Sequence, residues 1–295
     1  MSYTRKQLIE ERRETAMPAG FTWPGGKRLC VLLGVCLEGW ADGAWPGLGP
    51  MGNPLPAGAV DTNALHWAEY GGRRGMARIL DVLHRRGAKA TIFVNGVMAQ
   101  RFPALLKRAA DAGHDLAAHS MAQNVVPASL DEAAERRNIA DTVAAIAAAT
   151  GVTARGWASP RFTPSLATER LLAEAGFDWH SDLLDDDLPY HVALGERGLI
   201  EIPTSVEVND LPMHVRSGHA PHQMLRVFED TIAAMRRREG ETLKLDAIVH
   251  AHVFGRPAGV WVYDEIIRIA QERDDVWLGT WSEVAAHART AIGAA

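Results

Sequence analysis

The stretch Arg28–Gly43, RLCVLLGVCLEGWADG, decides the fold. From Leu29 to Leu37 it is apolar almost throughout and does not alternate, which is the pattern of a strand covered on both faces in a parallel α/β sheet. It then ends on a carboxylate, Glu38, followed at once by Gly39 and Trp40. Parallel α/β sheets gather their reactive groups at the carboxyl ends of the strands, so an acid there marks a site. The chain has two cysteines, Cys30 and Cys36, both within this strand. Alternation puts them on one face, but a strand segment of that length separates them by roughly 20 Å, too far to bridge. Both read as core thiols.

Outward from this strand, apolar runs of strand length alternate with longer helical patterns. ALHWAEYGGRRGMARILDVLHRRG carries Ile79, Leu80, Val82 and Leu83 at helical spacing and stops at Gly87. AKATIFVNG reads as strand, PALLKRAADAG as helix and HDLAAHS as strand. SLDEAAERRNIADTVAAIAAATG is the clearest helix, opened by a capping box from Ser129 to Glu132 and closed at Gly151. The alternation continues to VWLGTW and SEVAAHART without a repeat or a break in composition, so one α/β domain with a mostly parallel sheet is expected. LEGWADGAWPGLGPMGNP scatters its glycines and is followed by no helix start, which disfavours a dinucleotide-binding fold and leaves an irregular barrel. The segment Ala41–Ala59 is a long Gly/Pro-rich loop of the kind that serves as a lid or an interface element. The charged stretch SYTRKQLIEERRETAM reads as an amphipathic helix, giving a helical extension over residues 1–22 and a single domain over 23–295.

At 295 residues, 47% of them hydrophobic, the chain can bury a large core. Its formal net charge is −5, and the acidic and basic residues are interspersed, which argues against a nucleic-acid groove or a polybasic membrane anchor. Small molecules are the expected partners. No run reaches the roughly 18 apolar residues of a membrane span, and the N-terminus has no apolar signal stretch, so a reducing cytoplasm is expected. A homo-oligomer is expected too, the charged N-terminal helix being a common means of packing on a neighbour.

The strand ends are unusually polar. The first ends in Glu38, another in His119 and Ser120, and a third in GWASPR with Ser159 and Arg161. PTSVEVND brings Asn209, and the penultimate strand ends in VHAH with His250 and His252. Glu38, His119 and His250 end three strands of one sheet and can converge, so they are the candidate catalytic residues. Arg73, Trp40, Ser159, Arg161, Asn209 and His252 are the candidate substrate contacts. The acidic run Asp185–Asp187 reads as a solvated turn, and His214, His219 and His222 as surface residues.

Several motifs carry a family resemblance: WPGGKR, HWAEYGGRRGMARILDVL, GHDLAAHS, GWASPRFTPSLATERLLAEAGFDWHSDLLDDDLPY, IPTSVEVNDLP and IVHAHVFGRPAGV. From about Trp23 onward the chain resembles the polysaccharide deacetylase superfamily, and within it the branch of purine-ureide allantoinases and related small-molecule amidohydrolases. The resemblance implies a distorted (β/α) barrel with fewer than eight strands and hydrolysis of a carbon–nitrogen bond other than a peptide bond. It also implies, for the metal-using deacetylases, paired aspartates and two histidines four residues apart. Here Leu37 and Glu38 stand in the aspartate places, and His119 and Gln123 in the histidine places.

A catalytic zinc wants about three good protein ligands. Glu38 and His119 are two and the amide of Gln123 is a poor third, so no required cofactor is expected, and any divalent ion held there would be weakly bound. Without a metal, Glu38 is the expected base, its carboxyl raised toward neutrality by burial beside Trp40. His250, matching the family's penultimate-strand histidine, is the expected acid, and His119 would orient water or polarise the carbonyl. Arg73 would fork onto a planar substrate oxygen. Two other readings compete: a metal-dependent N-deacetylase of a polysaccharide, and a catalytically decayed barrel that binds a ligand.

Overall fold

The structure, a computed structural model, describes residues 14–47, 49–52, 55–56 and 58–293. In chain order the strands are β1 (Glu14–Ala16), β2 (Leu29–Leu37), β3 (Thr91–Val94), β4 (Asp115–Ala118), β5 (Gly156–Trp157), β6 (Trp179–His180), β7 (Tyr190–Val192), β8 (Leu199–Glu201), β9 (Val208–Asn209), β10 (Leu243–His250) and β11 (Val276–Gly279). The helices are α1 (Thr62–Tyr70), α2 (Met76–Arg86), α3 (Gly96–Arg101), α4 (Pro103–Asp111), α5 (Glu132–Thr150), α6 (Thr168–Glu174), α7 (Pro221–Arg236), α8 (Pro257–Gln271) and α9 (Trp281–Ile292). Hydrogen bonding orders the sheet β1-β7-β8-β6-β5-β4-β3-β2-β10-β9, with β11 on β2. From β8 to β9 every pairing is parallel; β7 pairs antiparallel with both β8 and β1. The result is a mostly parallel α/β wall, a distorted barrel that no described ladder closes between β9 and β8.

All nine residues of β2 are buried. Leu29, Val31, Leu33, Val35 and Leu37 point to the layer shared with the helices, while Cys30, Leu32 and Cys36 point inward among Phe93, Ile248 and Trp281. That period of two carries the side chain of Glu38 to the inside. β2 lies against β10 along Leu29–Cys36, and on its other edge it meets β11 first and β3 beyond Gly34. Trp281 fills the bottom of the interior: its backbone N–H donates to Thr91 Oγ1 and its Nε1–H to Ser181 Oγ. Reactive groups are therefore left to the upper, carboxyl end of the wall. Both cysteines are buried and free.

Local chemistry departs from expectation in a few places. Residues 1–13 of the predicted N-terminal helix lie outside the described residues, and Glu14–Ala16 form a strand on β7, not a helix. Backbone pairing with the free edge of β7 wins over helical propensity in so short a piece. The cap of α5 is Asp131, whose carboxylate accepts from Ala134 N, and Ser129 ends the tight turn before it. A carboxylate at N-cap satisfies the first free N–H groups and the helix dipole together, so it displaces the serine box. α3 occupies the end of what reads in sequence as the strand segment AKATIFVNG.

Candidate active site

Glu38 emerges from β2 into a pocket of about 330 Å³ and is only 3% exposed. His250, at the end of the adjacent β10, presents Nε2 at 3.4 Å from Glu38 Oε1. His119, after β4, presents Nε2 at 3.7 Å from the same oxygen. Each imidazole is oriented from behind. His250 Nδ1 lies 2.6 Å from Asp210 Oδ1, and Asp210 Oδ2 accepts from the backbone N–H of His250 and of Phe254. His119 Nδ1 lies 2.6 Å from the carbonyl oxygen of Ala158. A carbonyl can only accept, so Nδ1 is the donor and the neutral ring carries its lone pair on Nε2. That Nε2 is buried without a protein hydrogen bond.

The electrostatics follow from this packing. Burial pushes the Glu38 carboxyl up, but the charge of the adjacent His250, with the imidazoles packed against the acid, outweighs it, and the acid is held well below its ordinary range. The expected rise toward neutrality does not occur, because two imidazoles and not only Trp40 flank the carboxylate. Burial pulls the His250 imidazolium down, and Cys36, Glu38 and Asp210 together drive it well above its ordinary value. A carboxylate and an imidazolium therefore face each other at neutral pH.

Two asparagines hold the His119 turn. Asn95 Oδ1 accepts from Gly39 N while Asn95 Nδ2 donates to the carbonyls of His119 and Ser120. Asn138 accepts from Met121 N and donates to Ser120 Oγ. Among the described residues, the non-glycine positions with left-handed backbone are Ser120, Arg161 and Phe162, all at this pocket or next to its residues. Each such residue costs on the order of 1–3 kcal/mol, a strain that concentrates at functional sites.

The pocket brings together Glu38, His119, His250, Ser159, Arg161 and Asn209 from the predicted set. The Ser159 hydroxyl is already engaged, accepting from Trp157 Nε1 and donating to Asp182. Trp40 and His252 stand behind the site: His252 meets Trp67 and Trp40 edge-on and is held down to about 4, by burial first and then by the nearby cations, against the pull of Glu38. Arg73 is not in the pocket; it is exposed. Gly71 and Gly75 face the turn after β10, where a Cβ on Gly75 would lie 1.8 Å from the carbonyl oxygen of Ala251, and this turns Arg73 and Arg74 to solvent. None of the described residues of the 41–59 loop lines the pocket; its first part forms a separate cleft with α1 and Arg101. The residues that the sequence reading missed are Asp210, Asn95, Asn138 and Asp182.

The family's metal positions do not assemble a zinc triad. Glu38, His119 and Gln123 line the pocket together, but one carboxylate, one imidazole and one amide fall short of three strong donors. Among the described residues a different group, Cys36, Glu38 and His250, brings its ligand atoms within 4.8 Å of one another.

Residues 67–180 match the family described as polysaccharide deacetylase. Over those residues the chain is similar to a polysaccharide deacetylase domain. It is similar to the peptidoglycan deacetylase of Helicobacter pylori, 24% identical over 248 residues that cover 73% of this chain and 84% of that protein. It superposes on a crystal structure of a probable polysaccharide deacetylase from Pseudomonas aeruginosa with a TM-score of 0.83, at 27% identity and over 92% and 94% of the two chains. The PuuE allantoinase shares the fold with a TM-score of 0.83 at 24% identity, over 98% of each chain. The reaction class of this domain is hydrolysis of a carbon–nitrogen bond other than a peptide bond. Among the described residues no helix is long and apolar enough to cross a membrane.

Proposed function

We propose that the protein hydrolyses a carbon–nitrogen bond of a small amide, ureide or imide, with Glu38 as base, His250 as acid and no required metal. The observation that carries this reading is the carboxylate of Glu38 set between two imidazole Nε2 atoms, one of them backed by Asp210. Glu38 Oε1 and neutral His119 Nε2 are both acceptors facing each other, so a water donating one proton to each would be held with its oxygen free to attack. As it attacks the carbonyl carbon, its proton passes to Glu38. His250, protonated on Nε2 and steadied through Nδ1 by Asp210, gives its proton to the leaving nitrogen. His119 acts by orienting water, since its Nδ1–H is spent on Ala158 and its Nε2 has no proton to offer a carbonyl.

The pocket favours a small ligand. Phe93, Phe162, Leu184, Val206, Leu211 and Ile248 wall it, so most of its lining surface is apolar even though Gln123, Thr204 and Asn209 also reach it. The names of the relatives favour a second reading, N-deacetylation of a sugar polymer. Self-association and a cytoplasmic location belong to the first reading, and export belongs to the second. A hydrolysis screen over cyclic ureides, cyclic imides, formamides, small carboxamides and N-acetyl sugars, with and without added divalent metal, separates them. Turnover of a small amide or ureide is expected; turnover confined to N-acetyl sugar oligomers would replace the first reading with the second.

A further inference from the structure

Two guanidinium groups, Arg161 and Arg216, line the mouth of the pocket, and among the described residues neither makes an ion pair or a side-chain hydrogen bond. Most arginines elsewhere on the surface are paired, as Arg101 is with Asp42 and Glu69, or Arg155 with Asp178. The pair at the mouth come from different sides. Arg161 follows β5 and Arg216 ends the helical turn after β9, strands separated in the sheet by β4, β3, β2 and β10. Arg161 and Phe162 are held with φ of +63° and +51°, and Ser159 before them is pinned to Asp182 through both its backbone N–H and its hydroxyl. Bulky residues adopt that backbone only where the surroundings impose it, so the rim that presents Arg161 is built rather than incidental. Among the described residues Glu38, on the floor, is the only carboxylate lining the pocket, and it is already matched by imidazoles. Among the described residues, nothing anionic in the pocket answers the two arginines.

We infer that the substrate carries a carboxylate, received at the mouth by Arg161 and Arg216 while its apolar body and scissile amide reach down to Glu38. The chemical class is an amide of a small apolar carboxylic acid, such as an N-acyl amino acid or the half-amide of a dicarboxylic acid. This rests on the reading of the Glu38 pocket as the reaction site. Guanidinium is suited to the task because its fork of donors matches a carboxylate and stays charged at every working pH. The carboxylate would also orient the amide, since the mouth and the floor of one pocket fix both ends of the ligand.

The test measures binding of 4-methylpentanoate and of 4-methylpentan-1-ol to the full chain by calorimetry at low salt. Variants are Arg161→Asn, which keeps a residue tolerant of left-handed backbone, Arg216→Gln, and Arg238→Gln as a surface control outside the pocket. The carboxylate should bind at least roughly ten-fold more tightly than the alcohol, and each mouth variant should weaken the carboxylate by about that factor while sparing the alcohol. Arg238→Gln should match the parent. In turnover, N-acetyl-leucine should be preferred to N-acetyl-leucinamide, and the mouth variants should erase that preference through KM. Equal binding of acid and alcohol, or mouth variants that leave the acid's affinity unchanged, would overturn the inference. Arginine-dependent carboxylate binding with no turnover of any amide would sink the hydrolase reading and leave the anion subsite standing; turnover of neutral amides alone would do the reverse.

Discussion

Asp210 separates the parts played by its neighbours. Its carboxylate touches His250 and two backbone N–H groups and does not line the pocket, so it acts only through the imidazole. Its negative charge helps raise the His250 imidazolium above its ordinary value. If His250 must be protonated to serve the leaving nitrogen, activity falls as pH rises through that value. Asp210→Asn removes the charge, lowers the His250 pKa and should move the alkaline limb of the pH–rate profile to lower pH, with a fall in kcat and little change in KM. A limb that stays put would take His250 protonation out of the mechanism. Glu38, His119 and His250 stand out in the sequence because each follows an apolar run that has no other reason to end on an ionisable group, and the structure brings the three into one pocket. Asp210 was in plain view within VND, yet its partner was not: nothing local says that β9 lies beside β10, and that pairing alone brings it to His250. Arg73 failed for the opposite reason, since helical phase at the glycines around it is set by the distant Ala251 carbonyl.

Among the elements, β2 and β10 are the pair on which the site stands; β2 was readable from its unbroken apolar run, and β10 from the apolar residues Ala247–Val249 that lead into His250. β10 also carries an ion pair inside the wall: Lys244 Nζ lies 2.8 Å from each oxygen of Asp246, with the two side chains 1% and 0% exposed. Asp246 in turn accepts from Ser205 N, which ties the segment leading to β9 and hence Asn209 and Asp210. Lys244→Met leaves a buried charge without its partner and should cost about 3–5 kcal/mol in denaturant unfolding. The double variant Lys244→Met with Asp246→Asn, whose amide can still accept from Ser205, should recover a large share of that loss. A double variant as unstable as the single one would show that shape and not charge decides the site. The short strand β9 was not legible, since two residues of strand carry no periodicity and this one exists only through its pairing with β10.

For the whole molecule, the alternation of strands and helices was enough to give a mostly parallel α/β wall with its chemistry at one end. The antiparallel additions β1 and β7 were not, because edge pairing depends on contacts between segments far apart in sequence. The donor set at the family's metal positions leads to a prediction for the intact protein: chelation should leave most of its turnover, and purification without added metal should yield far less than one equivalent of zinc. Stoichiometric metal with chelator-sensitive activity would instead move attention to Cys36, Glu38 and His250, the described group near the pocket that could hold an ion. The most direct measurement of the central claim is the turnover of Glu38→Gln beside the parent on whichever carbon–nitrogen substrate the screen identifies, with circular dichroism to verify folding. The amide keeps the shape of the side chain and removes the base, so kcat should fall by about 10²-fold or more with KM little changed. A folded variant that keeps most of its turnover would contradict the assignment of Glu38 as the group that activates water.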